Sequence, residues 1–254
     1  MQRKSDRAAW LKGGDARCST QPERRPDQHR FVLLGAPGVG KGTQAELLSE
    51  RFHICPLSTG DIFRASKALA AGCECSPAML RALGYMNTGE LVPDETVLSL
   101  IRQRAKCLRC GGGFLLDGFP RTIAQAEALE NILEENEVKL DAVLSYDLPL
   151  EQIVVRLGGR RICPQCKRVF HAESRPPRQA GICDDCDIAL FLRDDDRPEA
   201  IRVRMHAYEK NTTPVIDFYR ARDLLIPIEA GSNPAETFER TLKAIQKAAT
   251  RDLP

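Results

Sequence analysis

The sequence predicts an α/β chain built on a doubly wound, five-stranded parallel sheet. Three observations predict it. Short apolar runs recur along the chain with helix-forming stretches between them. Those runs lack strict apolar–polar alternation, as expected of strands buried on both faces. The first run ends in a glycine-rich turn with a lysine, followed by a helix, the arrangement of a P-loop. Such β-α alternation calls for right-handed crossovers between parallel strands.

The strands are expected at 31–35, 54–58, 113–117, 142–147 and 224–228. A helix is expected over 44–52, where helix formers are continuous. Asp94 opens another. Thr122 opens a third, in which Ala126, Leu129 and Leu133 recur at helical spacing. A long helix is expected over 198–219, with Pro198 in its first turn. Residues 58–92 and 159–196 interrupt the alternation and read as insertions at one edge of the sheet. The first carries extra helices; the second is rich in Cys, Pro and Asp. In open α/β sheets, ligands sit at the carboxyl ends of the strands.

Composition narrows the function. The chain has 254 residues, 37 Lys+Arg against 35 Asp+Glu, and 43% hydrophobic residues. That is a globular composition with a sizeable core. The near-balance of charge argues against a dedicated nucleic-acid binder. No apolar run reaches the roughly 18 residues a membrane helix needs. Residues 1–30 carry eight Lys/Arg and four Asp/Glu, with no apolar periodicity. They read as a disordered extension, and the four acids weigh against a transit peptide. Ten cysteines without a secretory signal suggest a reducing, cytoplasmic setting, where cysteine clusters bind metal more often than they form disulfides.

The first strand runs into Gly35-Ala36-Pro37-Gly38-Val39-Gly40-Lys41-Gly42-Thr43. Glycines let backbone N–H groups approach phosphate oxygens, and the helix N-terminus behind them adds partial positive charge. Lys41 is placed for β/γ-phosphates. Gly42 stands where many P-loops carry a Mg²⁺-binding hydroxyl, and Thr43 follows it. Asp117 ends the third strand, a position suited to holding Mg²⁺ through water. Arginines beside motifs, Arg64, Arg121 and Arg160, offer permanent bidentate counter-charge to phosphates. Cys163-x-x-Cys166 and Cys183-x-x-Cys186 are sixteen residues apart, within the spacing of a tetrahedral Cys₄ zinc site. Ordering a segment with few large apolar groups costs about 1–2 kcal/mol per residue, and a structural zinc offsets this with about 10–16 kcal/mol. Cys73, Cys75, Cys107 and Cys110 carry a weaker signal for a second site, and His171 a weak one for a fifth ligand. For His171 a hydrogen-bonding role is favoured.

The segments GAPGVGKGTQ, STGDIFR, LVPDETV, FLLDGFPRTIAQ and GRRICPQC, in this order, resemble the adenylate kinase family in its long form with a zinc-binding lid. The resemblance implies reversible phosphoryl transfer from Mg-ATP to AMP, giving two ADP, with Mg²⁺ and a structural Zn²⁺ as cofactors. It implies that Gly38, Val39, Gly40, Lys41, Gly42 and Thr43 cradle ATP phosphates. It places Arg156, Phe170, Gly231 and Asn233 near the rest of ATP. For AMP it implies Thr59, Arg64, Glu90, Leu91, Val92, Gly118, Phe119, Pro120, Arg121 and Gln125. Arg160, Arg193 and Arg204 would converge with Arg121 on the transferring group, the last two also serving AMP. Residues 31–57, 93–158 and 197–254 would form the core, 58–92 the AMP-binding subdomain and 159–196 the lid. A monomer binding ATP, AMP and ADP, with no nucleic acid or membrane, is expected. Kinases of UMP or CMP, a GTP:AMP phosphotransferase and an inactive zinc-ribbon nucleotide-binding module stay open at this stage. Thr59 and Gln125 favour AMP; Asn233, where many relatives carry Lys, leaves the donor base less certain.

Overall fold

The computed structural model describes residues 8–12, 16–18, 28–69, 77–166 and 168–250. Five parallel strands form the central sheet: β1 (Arg30–Gly35), β2 (Cys55–Ser58), β3 (Phe114–Asp117), β4 (Ala142–Asp147) and, last in sequence, β7 (Leu225–Glu229). Their spatial order is β2-β3-β1-β4-β7, with every neighbour pair parallel. Side chains of β1 show why the apolar runs do not alternate with polar residues. Val32 and Leu34 enter one core with Leu57, Phe114, Leu116 and Val143. Phe31 and Leu33 enter a second core, on the opposite face, with Leu115, Ala142 and Leu144. Each such side chain contributes about 1.5–3 kcal/mol by leaving water.

Helices cover both faces: α1 (Ala8–Lys12), α2 (Lys41–Phe52), α3 (Thr59–Leu69), α4 (Pro77–Thr88), α5 (Asp94–Arg102), α6 (Ala105–Leu108), α7 (Ile123–Glu135), α8 (Leu150–Gly159), α9 (Pro198–Ala207), α10 (Thr213–Arg220) and α11 (Pro234–Ala249). Thr122 caps α7 by accepting the Gln125 backbone N–H at 3.1 Å. The expected long helix has a wide turn, Tyr208–Thr212, between α9 and α10. Such π-type turns shift the register of everything downstream. The strands β5 (Arg160–Ile162) and β6 (Val169–His171) form a small antiparallel ribbon in the second insertion. Among the described residues, no helix is long and apolar enough to cross a membrane.

Two expectations need correction. The insertions do not leave one edge of the sheet. The first follows β2, an edge strand, and the second follows α8, on the way to the opposite edge strand β7. Nor is the described part of the N-terminal extension disordered. Residues 8–12 are helical, and Trp10 is 0% exposed in the first core. A five-residue helix does not form alone; the buried Trp10 indole, worth about 150–250 Å² of surface, holds it, with Ala9 and Leu11 packed beside it. Three adjacent apolar residues leave no periodicity to read.

Candidate active site

The carboxyl ends of the strands open into one cleft of about 1750 Å³. That exceeds the roughly 300–1,000 Å³ that a single drug-sized ligand occupies, so the cleft has room for two nucleotides. The P-loop forms its floor. Gly38 (φ 83°) and Gly40 (φ 107°) take left-handed conformations, which bring the loop's backbone round into α2. A Cβ on Gly38 would lie 2.7 Å from Leu157. Lys41 opens α2, and its ammonium donates to the carbonyls of Gly35 (2.6 Å) and Ala36 (2.9 Å). Burial pushes this ammonium down to about 8; Asp117 opposes the shift, while Arg121, Arg204 and Arg160 add to it. Val39, Gly42 and Thr43 line the same wall. Asp117 faces the cleft from β3.

Arg121 is held at both backbone ends. Its N–H donates to Gln125 Oε1 (2.8 Å), and its carbonyl accepts from Thr212 Oγ1 (3.0 Å). Its Nε donates to the Gly118 carbonyl at 2.8 Å. Burial lowers the guanidinium's pKa. Gln125, only 2% exposed, also donates to Asp94 Oδ1 at 2.7 Å. Thr59 Oγ1 donates to the Gly118 carbonyl at 3.0 Å. Thr59, Glu90, Leu91, Val92, Gly118, Arg121 and Gln125 share a small side chamber of about 40 Å³. Arg64 borders the main cleft and pairs with Asp61 at 2.6 Å.

Arginines of the second insertion and α9 meet at an acidic knot. Arg193 binds Asp195 through two nitrogens, at 2.7 and 2.5 Å. Arg160 forks onto Asp196, with Nε at 2.6 Å. Arg204 reaches the Asp195 carbonyl (2.7 Å) and Asp196 Oδ1 (3.1 Å). Burial pushes Arg204 down to about 10. For Asp195 burial acts upward, but Arg193 and Arg204 outweigh it and hold the carboxyl below its usual range. The structure therefore brings together Lys41, Asp117, Arg121, Arg160, Arg193 and Arg204 on one cleft.

Other expected residues have more than one task. Arg156 donates to the Val39 carbonyl at 3.2 Å and also to the Gly231 carbonyl, tying the P-loop to the turn after β7. Asn233 caps α11 by accepting the Ala235 N–H at 2.9 Å, while still lining the cleft. Phe170 touches the cleft but is mostly packed inside the second insertion with Cys163 and Cys183. Phe119 is not brought to the cleft. It is 1% exposed in the first core, while its neighbours Gly118, Pro120 and Arg121 line the cleft. A turn between two cleft residues points its apolar side chain inward. Sequence reasoning did not place Thr212 or Asp94 in the site, whereas Asp195 and Asp196, beside Arg193, resembled the family's lid-edge acids and do pair with the cleft arginines. The run Asp194-Asp195-Asp196 beside Arg193 was the visible signal for the knot; the contact of Thr212 depends on the wide turn and left none.

Ligand atoms of Cys163, Cys166, Cys183 and Cys186 all lie within 4.8 Å of one another. The Cys166 and Cys183 sulfurs are 3.6 Å apart. Zinc–sulfur bonds of about 2.3 Å at tetrahedral angles put sulfurs about 3.8 Å apart, so the four thiolates fit a structural zinc and leave no position open for chemistry. Asp187, after the last ligand, takes φ 52°, a left-handed conformation Asp tolerates better than most residues. His171 lies outside this group. Its Nδ1 accepts the N–H groups of Glu173 (3.2 Å) and Ser174 (3.0 Å), and Nε2 contacts the Val155 carbonyl at 3.2 Å. Cys107 is buried in the core and Cys110 half-buried. Cys73 and Cys75 lie outside the described residues. Among those described, the Cys₄ set is the sole group of three or more clustered metal-ligand side chains.

Comparison with known proteins bears on the same residues. The family model for adenylate kinase matches residues 33–224. An adenylate kinase of Caldicellulosiruptor bescii is 47% identical over 216 residues, covering 85% of this chain and 98% of that protein. Those of Streptomyces coelicolor (44% over 219 residues, 86% and 99%) and Methanocella arvoryzae (44% over 222 residues, 87% and 100%) are similar over nearly their whole lengths. With the P-loop, the arginine-lined cleft and the Cys₄ insertion in place, the chain belongs to the adenylate kinase family.

Proposed function

We propose that the protein catalyses reversible phosphoryl transfer from Mg-ATP to AMP, giving two ADP. One observation carries this reading: cations from the P-loop, β3–α7 turn, second insertion and α9 face a single two-nucleotide cleft. Like charges about 4 Å apart repel by roughly 4 kcal/mol at an effective dielectric near 20, so two polyphosphates meet only where such counter-charge exists. ATP lies over Gly38 to Thr43, with Arg156, Gly231 and Asn233 on its base side and Phe170 against the lid. AMP lies against Thr59 and the side chamber of Glu90, Leu91, Val92 and Gln125, its phosphate held by Arg64 and Arg121. An AMP phosphate oxygen attacks the γ-phosphorus, the β–γ bridge bond breaks, and ADP leaves on each side. No protein nucleophile takes part. Lys41, Arg121, Arg160, Arg193 and Arg204 neutralise charge on the equatorial and bridging oxygens. Asp117 is the carboxylate that would hold Mg²⁺, which when bound would add to the neutralisation of phosphate charge.

The division of labour follows. Residues 31–57, 93–158 and 197–254 serve as core, 58–92 as AMP-binding subdomain and 159–196 as a lid that excludes water. The protein acts as a cytoplasmic monomer, without nucleic acid or membrane. A coupled ADP assay with ATP plus AMP, UMP or CMP tests the reading. Turnover with AMP is expected to exceed the others; absence of turnover with AMP ends it.

A further inference from the structure

The family match begins at residue 33, yet a segment before it is built into the molecule. Trp10, the single tryptophan of the chain, is fully buried in the first core. Its indole Nε1 donates to the Ser58 carbonyl at 2.9 Å. Ser58 is the last residue of β2, and α3 starts at Thr59, so this bond sits where the chain leaves the sheet for the first insertion. Thr59 in turn donates to the Gly118 carbonyl in the side chamber.

The other side of the segment is fastened to the core. Arg104, 4% exposed, donates from Nε to the Trp10 carbonyl (2.6 Å) and from Nη1 to the Leu100 carbonyl (3.1 Å). Lys106 donates to the Ala16 carbonyl at 2.8 Å. Leu11 and Lys12 reach the rim of the main cleft. Trp10 thus joins two bodies: its backbone is held by the α5–α6 corner, and its ring holds the junction of β2 and α3. A buried guanidinium committed to a carbonyl from outside the family match gives the contact a fixed place, since burial without that partner is costly.

We propose that the segment around Trp10 is a strap that sets the AMP subsite, with Trp10 a positioning residue acting through Ser58 and Thr59. The proposal rests on the reading of the first insertion as the AMP-binding side. A strapped junction holds Thr59 and α3 ready for the acceptor and lowers the ordering cost of binding it. Among the described residues, no hydrogen bond links Trp10 to the P-loop or the lid, which build the ATP side.

Steady-state kinetics and intrinsic fluorescence of the full chain test this. Trp10→Phe keeps an aromatic ring and loses the indole N–H. It is expected to raise KM for AMP about three- to tenfold, the size of one lost hydrogen bond expressed as an equilibrium. KM for ATP and kcat stay within about twofold. Trp10→Ala moves KM for AMP further and also lowers Tm; if it does not fold, Trp10→Phe carries the test. The wild-type emission is that of a buried indole and shifts when AMP is added, but not with ATP alone. An unchanged KM for AMP in Trp10→Phe, an equal rise in both KM values, or solvent-like emission that AMP does not move overturns the strap. Absence of AMP turnover in the wild type overturns the catalytic reading instead, so the two failures are distinct.

Discussion

Arg121 concentrates several constraints in one residue. Its backbone is pinned by Gln125 and Thr212 and its side chain by Gly118, so its guanidinium is presented with little freedom left to lose. A guanidinium that stabilises a phosphoryl transition state typically contributes about 10³–10⁵ in rate. Arg121→Met is therefore expected to lower kcat by about that factor, with Tm within a few degrees, measured by coupled assay and thermal melt. Arg121→Lys does not restore the rate, because a point charge lacks the fork. Lys41 makes a different prediction. Burial lowers its pKa to about 8, so above that pH the side chain loses the charge that phosphate needs. Bound phosphate favours the charged form, so binding at higher pH must take up a proton. KM for ATP is expected to rise with pH above 8, by up to about tenfold per pH unit, and Lys41→Arg removes that rise while lowering kcat.

At the scale of elements, the second insertion stands on metal rather than on apolar packing. Its small core is Phe170, Leu190 and the four cysteines. A structural zinc supplies about 10–16 kcal/mol to such a site. Metal analysis should find one zinc per chain, by the single Cys₄ cluster among the described residues. Cys163→Ser, or a strong chelator, is expected to melt residues 159–196 first, seen as early proteolytic cleavage there, while the sheet persists to a separate, higher transition. Activity falls with the insertion, because Arg160 and Arg193 leave with it. Unchanged cleavage without metal would refute a structural role. These elements were legible in the sequence to different degrees. The strands announced themselves because both faces of β1 are apolar. The P-loop and Cys₄ set were legible because their chemistry fixes spacing. The inward turn of Phe119 was not legible, because a motif names residues without saying which way each side chain turns. Thr212 escaped because its partner, Arg121, lies in another part of the fold. Trp10 escaped because a short run of adjacent apolar residues makes no pattern.

At the scale of the molecule, the arginines come from separate parts of the chain and share one cleft. Arg64 lies on α3, Arg121 just before α7, Arg160 at the start of β5, Arg193 before the Asp194–Asp196 turn and Arg204 on α9. Asp195 and Asp196 pair with Arg160, Arg193 and Arg204. Phosphates must compete with these carboxylates, and only two nucleotides together bring enough anionic oxygen to redirect the whole set. Closure should therefore be stepwise. X-ray scattering is expected to give a smaller radius of gyration with ATP alone and with AMP alone, and the smallest with a nonhydrolysable ATP analogue plus AMP. Water is the rival acceptor, and it reaches the γ-phosphoryl group only while the cleft is open and misaligned. ATP hydrolysis without AMP is thus expected at less than about 10⁻² of the transfer rate, since misplacement by about 1 Å costs that much. Hydrolysis as fast as transfer, or full contraction with ATP alone, would mean that the arginines assemble without the acceptor and that closure does not discriminate between AMP and water.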